Sequence, residues 1–108
     1  MIRGELWTVA GGVYASKPRP ALILQDDVYV GLESVTVMPL TSNRVDAPLL
    51  RVAIQRGGLS GLDRDSDVMI DKLTTVRRAQ VADRVGRLST DQLAEVERAM
   101  MAFLGLAR

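Results

Sequence analysis

The chain has 108 residues, 47% of them apolar and 25% charged, with a formal net charge of +1 and neither cysteine nor histidine. That is enough chain for one modest core and too apolar a composition for wholesale disorder. It excludes a disulfide framework, a thiolate nucleophile or a thiolate metal site, and it removes the usual general base near neutral pH.

Any catalysis must therefore use carboxylates, hydroxyls, Lys, Arg or a metal held by oxygens. A net charge near zero argues against a uniformly basic nucleic-acid binder, while a local basic groove stays open. Met1 to Glu5 has no charged-then-apolar signal pattern, and no apolar run approaches ~18 residues. The expected location is the cytoplasm, with no membrane partner.

Glu5 to Ala10 alternates between polar and apolar positions and predicts a first strand, ended by Gly11-Gly12. Residues 11–16 predict a small flexible loop. The stretch Lys17-Pro18-Arg19-Pro20 then restricts one arginine from both sides. Each proline fixes its φ at about −65°, and Pro20 pushes Arg19 toward extended geometry. Ala21 to Gln25 predicts a buried strand with Pro20 at its first residue or edge. An arginine held stiffly at the mouth of a core strand is a cationic fork suited to phosphate or carboxylate. Its alternative is an edge arginine whose prolines only prevent aggregation.

Asp26-Asp27 stops that strand, and Val28 to Ser34 predicts a turn or short connector. Val35 to Leu40 predicts a third strand, with Pro39 marking an edge or bulge. Thr41-Ser42-Asn43-Arg44 is a polar loop directly off it. Leu49 to Ile54 predicts a fourth strand, and Gly57 to Leu62 a glycine-rich turn without the Lys and Ser/Thr of a phosphate loop. Asp63 to Asp67 superficially resembles a calcium loop. Val68 stands where that loop needs glycine and Thr74 where it needs a bidentate Glu, so a solvated acidic turn is expected.

Val68 to Asp71 predicts a fifth strand and Leu73 to Val76 a sixth, followed by the basic pair Arg77-Arg78. Ser89 with Gln92 forms a capping box, and Leu88 with Leu93 a hydrophobic staple. Leu93, Val96, Met100, Phe103 and Leu104 share one helical face, and Gly105 fits the left-handed position past the helix end. Met101 lies off that stripe and leaves apolar surface for a partner. Strands first and one helix last predict a mainly β fold with one domain over residues 1–108. The expected form is a twisted, antiparallel, partly closed barrel with a C-terminal helix packed on it.

Three pieces in this order, Arg3-Gly4-Glu5-Leu6-Trp7, Arg19-Pro20-Ala21-Leu22-Ile23 and Val37-Met38-Pro39-Leu40-Thr41-Ser42, closely resemble the MazF/PemK toxins of bacterial toxin–antitoxin modules. The likeness continues through Val68 to Val76 and into the terminal helix. It implies an SH3-like barrel and a homodimer. It further implies a sequence-specific, metal-independent endoribonuclease without cofactor, which cleaves single-stranded RNA to a 2′,3′-cyclic phosphate and a 5′-hydroxyl and so inhibits growth. A cognate antitoxin with an acidic, initially disordered segment is the implied partner.

Carried over by position, the functional arginine falls on Arg19 and the functional threonine on Thr41. An aspartate used by some members falls on Asp71, but the arginine two residues before it is Met69 here. An Asp–Arg pair at that point is therefore expected to be missing. The loop from Val9 to Ser16 is shorter than the family's and lacks its Gly-Ser-Glu element, so base specificity does not transfer.

Cleavage to a cyclic phosphate requires removal of the 2′-OH proton, stabilisation of a charged phosphorane and protonation of the 5′-oxygen. Arg19 suits the second task by binding two phosphate oxygens, and Thr41 Oγ can add a hydrogen bond that holds the geometry. Asp71 is the candidate base if the groove desolvates it, with an ion-paired carboxylate as the alternative. Lys17, Ser42, Asn43 and Arg44 flank the same loops as candidate RNA contacts. Lys17, Arg19, Arg44, Arg77 and Arg78 are expected on segments that the barrel gathers at one groove. The competing readings are a toxin without chemistry, as in the CcdB-type DNA-gyrase poisons that share this barrel, and an inactive antitoxin-binding relative.

Overall fold

A computed structural model describes residues 1–11 and 15–107. Strand β1 (Glu5–Gly11) runs antiparallel to β2 (Ala15–Ile23), with Leu6 facing Leu22 and Thr8 facing Pro20. Strand β3 (Ser34–Thr41) continues the sheet through Ala21–Pro39, Leu22–Met38 and Ile23–Val37. With β4 (Arg51–Ile54), β5 (Ser66–Met69), β6 (Thr74–Arg77) and β7 (Val81–Arg87) the sheet has, among the described residues, seven strands in the order β4-β5-β3-β2-β1-β7, and β6 also lies against β3. Every pairing is antiparallel.

The loop after β4 draws the two ends of that order together. The Arg87 N–H donates to the Leu59 carbonyl at 3.0 Å. A Cβ at Gly61 would stand 2.1 Å from the Val85 carbonyl oxygen, and one at Gly86 would stand 2.2 Å from that of Ser60. Only glycine permits that approach, and the result is a partly closed barrel.

Alternation along the strands sorts apolar side chains into two clusters. Leu6, Leu22, Met38, Leu40 and Val68 belong to one, sealed by Val96 of helix α1 (Thr90–Phe103); Val9, Ala21, Ile23, Val35, Val37 and Val76 form the other. The helix begins at the expected cap: Ser89 Oγ accepts the Gln92 N–H at 3.1 Å, and Gln92 Oε1 accepts the Ser89 N–H at 2.8 Å. Gly105, at φ 74°, follows its end. Phe103 and Leu104 depart from expectation. They are 47% and 46% exposed, because the last turn of α1 outruns the core that Leu93, Val96 and Met100 cover. Among the described residues no helix is long and apolar enough to cross a membrane.

Several strand boundaries differ from the sequence reading. Strand β2 begins at Ala15, so the proline clamp lies inside it; of the loop expected over 11–16, residues 12–14 lie outside the described residues. The prolines are tolerated because β2 before Ala21 pairs with β1 alone, which leaves an open side where no ladder N–H is needed. Strand β4 starts at Arg51, with Leu49 ahead of it and exposed. Strand β5 ends at Met69, and Asp71 sits on a 3-10 turn, Ile70–Lys72, rather than on a strand. Strand β7 has no counterpart in the sequence reading. It pairs with β1 alone and is mostly exposed, so its charges and Gly86 hide any strand alternation.

Candidate active site

Arg19 enters the site from the clamped half of β2, and Thr41 from the last residue of β3. Ala21–Pro39 is the last pair of β2 with β3, and Arg19 and Thr41 each lie two residues beyond it, on the side of their strands that Ala21 and Pro39 share. Both line an open groove of about 770 Å³, together with Asn43, Met69, Lys72, Thr74, Thr75, Arg77 and Gln80. Such a volume is in the range of about 300–1,000 Å³ typical of ligand sites. Thr41 Oγ1 accepts the Asn43 backbone N–H at 3.1 Å. That bond shapes the turn off the strand, and it leaves the hydroxyl proton free to be donated into the groove. Arg19 is exposed and forms no ion pair with a described residue.

A second depression, of about 310 Å³, adjoins the first at Arg19 and is lined by Thr8, Pro18, Ser42, Asp63 and Arg64. Successive residues of an extended chain point to opposite faces, so Thr41 and Ser42 are divided between the two hollows. Arg19 stands on the ridge between them.

The remaining sequence candidates are dispersed. Lys17 is exposed on β2 and lines neither hollow. Arg44 Nε donates to the buried Asp67 carboxylate at 3.1 Å, which ties its side chain down beside Thr41. The expected gathering of basic residues is only partial. Arg77 lines the groove, whereas Arg78 turns aside, its Nε donating to the Leu32 carbonyl at 2.8 Å.

Asp71 has the arginine that the sequence reading expects to be missing. Strand pairing sets Arg51 opposite Met69, and Arg51 Nη1 donates to Asp71 Oδ1 at 2.5 Å. The cation is supplied across the sheet instead of along the strand. The Arg51 hydrogen bond holds the Asp71 carboxyl below its usual range, against the opposing effect of burial. Asp71 is not among the residues lining the groove, although its neighbours Met69 and Lys72 are. Lys72 Nζ approaches Asp71 Oδ2 at 3.8 Å. A carboxylate so paired is a weak proton acceptor.

The sequence reading thus missed Arg51, Lys72 and Gln80. For Arg51 a signal existed, since alternation puts it on the side opposite the core residues Val52 and Ile54. Lys72 follows from Asp71 only once the turn is known, and nothing in the sequence marks Gln80. Among the described residues, no three acidic side chains gather into a group that would hold a metal ion.

Residues 2–104 match the family model described as PemK-like, MazF-like toxin of type II toxin–antitoxin system. A protein of Mycolicibacterium smegmatis named probable endoribonuclease MazF is 47% identical over 108 residues, with 99% of each chain covered. The MazE-MazF structure from Deinococcus radiodurans (Form-III) superposes with a TM-score of 0.80 at 25% identity, over 99% of this chain and 98% of that one. A mycobacterial endoribonuclease in complex with its cognate antitoxin superposes with a TM-score of 0.82 over 100% and 98% of the two chains. At 19% identity that likeness speaks for the fold alone.

Proposed function

This chain belongs to the PemK-like, MazF-like toxin family of type II toxin–antitoxin systems and is an endoribonuclease of that kind; we propose that it cuts single-stranded RNA without a metal, leaving a 2′,3′-cyclic phosphate and a 5′-hydroxyl. The observation that carries this reading is the meeting of Arg19 and Thr41, distant in sequence, in one groove. Arg19 binds two oxygens of the scissile phosphate, and its bonds strengthen as the phosphorane gathers charge. Thr41, with one lone pair engaged by Asn43, donates a hydrogen bond to one of the same oxygens and holds the phosphate for in-line attack. Asp71 is read as a support: ionised by Arg51, it steadies Lys72 at the groove rim. Asn43 and Ser42 serve the flanking nucleotides from the two hollows, and Lys17 and Arg44 attract the RNA backbone.

In this reading the toxin is a cytoplasmic homodimer. Its exposed apolar residues, Val28, Val30, Leu32, Met101 and Leu106 among them, are the surface available for burial. Its antitoxin covers the groove with an acidic, initially disordered segment. Light scattering at micromolar concentration should give twice the chain mass, and a monomer would reject the dimer.

The test of the activity is incubation of the pure chain with a long RNA in EDTA, followed by mapping of the new 5′ ends. Cuts at recurring short sequences are expected. RNA left intact at enzyme excess would overturn the reading, and inhibition of gyrase supercoiling by the same preparation would promote the gyrase-poison alternative.

A further inference from the structure

One wall of the groove carries a side-chain amide whose oxygen is engaged. Gln80, in the 3-10 turn Arg78–Gln80 between β6 and β7, accepts the Arg77 backbone N–H on its Oε1 at 3.0 Å. With the oxygen engaged, the Nε2 amino group is left without a partner among the described residues, on a side chain that lines the groove. Arg77 adjoins it in the turn, and Lys72 lines the same groove; their cationic groups donate and cannot accept. This wall therefore offers donors, and no carboxylate is among the residues that line the groove.

We infer that this wall is a base-reading subsite, with Gln80 as its specificity-determining residue. It selects a base whose open edge carries carbonyl acceptors, uracil or guanine, over adenine and cytosine, whose exocyclic amino groups would meet donors head-on. The physical basis is the donor–acceptor code of base edges. Guanine presents O6 beside N7 as paired acceptors and a pyrimidine with a 4-keto group presents O4, whereas adenine sets the N6 donor beside its N7 acceptor and cytosine carries the N4 donor where uracil has O4. A donor set facing a donor leaves both unpaired, which is where hydrogen-bonding sites gain most of their discrimination. The inference deepens the proposed nuclease function, since it takes the strand held over Arg19 to be RNA. It is independent of which group moves the protons.

Binding and cleavage can be separated in the test. Fluorescein-labelled 2′-O-methyl octamers, which lack the attacking hydroxyl, are titrated by anisotropy: U8, A8, C8 and A8 with two central guanines. The parent chain should bind U8 and the guanine-bearing strand about tenfold more tightly than A8 or C8, the discrimination of one good base contact. Gln80→Glu keeps Oε1 for the Arg77 N–H and replaces the donor with an acceptor, so the U8:A8 ratio should fall to one or below. The ratio is the quantity read, because a new carboxylate weakens binding to every strand alike. Gln80→Met, with no polar atom, should flatten the ratio without the added charge.

Equal binding of all four strands by the parent, or a U8:A8 ratio unmoved in both variants, would overturn the subsite. If the parent leaves cleavable RNA intact yet the ratio moves with Gln80, the subsite stands and the nuclease reading falls.

Discussion

Arg19 and Thr41 divide the electrostatic labour of the site, and their substitution should separate chemistry from folding. Both are at the exposed end of the sheet rather than in either core cluster, so alanine at either position opens no cavity. Arg19→Lys keeps the charge and loses the planar fork. Its cleavage rate should fall by about 10²-fold, the usual cost of removing one preorganised donor to a developing oxyanion. A near-parental rate would show that Arg19 supplies charge alone.

Glu5 is a residue whose role is stability. Burial tends to raise its pKa, but hydrogen bonds from Trp7 Nε1, Arg84 and the Ile2 N–H outweigh that and hold it at about 2, against an ordinary 4.5. The unfolded chain therefore binds this proton first as pH falls, so the stabilisation is complete above pH 4.5 and is lost progressively toward pH 2. Urea midpoints of the parent and Glu5→Gln should differ at pH 6 and converge on acidification. A constant gap down to pH 3 would contradict that account.

At the scale of elements, the helix cap and the barrel seam give opposite kinds of prediction. Ser89→Ala removes one reciprocal bond of the capping box and should cost about 1 kcal/mol, read as a lowered Tm with cleavage intact. Gly86→Ala drives a methyl onto the Ser60 carbonyl. Overpacking of that kind costs about 1–3 kcal/mol, and it should also loosen the second hollow, whose wall includes Gly61 and Val85. A Gly86→Ala chain as stable as the parent would show that the seam yields easily. These two elements also mark what a sequence discloses. The helix was legible because Ser89, Gln92, Leu93, Val96 and Gly105 each act within a turn or two of their own position. The core strands β1 and β3 were legible for the same reason, alternation being local. Strand β7 was not, since an edge strand exposed over most of both faces has no apolar rhythm. The Arg51–Asp71 pair and the engaged amide of Gln80 were not either, because each depends on which strand or turn lies beside which. Such neighbours are set by pairing, and no spacing in the chain records it.

For the whole molecule, a net charge of +1 coexists with a groove that gathers Arg19, Lys72 and Arg77. Distribution should then outweigh the sum, and RNA affinity should fall steeply with salt, with a log–log slope of about −0.7 for each phosphate neutralised. A flat response would remove the groove as the binding surface. The central claim is that Arg19 and Thr41 together drive attack by the RNA's own 2′-hydroxyl. Its most direct test is single-turnover cleavage, in EDTA, of one short oligoribonucleotide carrying a mapped cut site, with mass analysis of the 5′ fragment, whose new 3′ end carries the phosphate. The parent should yield a 2′,3′-cyclic phosphate and should leave intact the same strand made 2′-deoxy at the cut. Arg19→Ala and Thr41→Ala should each be slower by about 10²-fold or more. Cleavage of the 2′-deoxy strand at the parental rate, or parental activity in either variant, would contradict it.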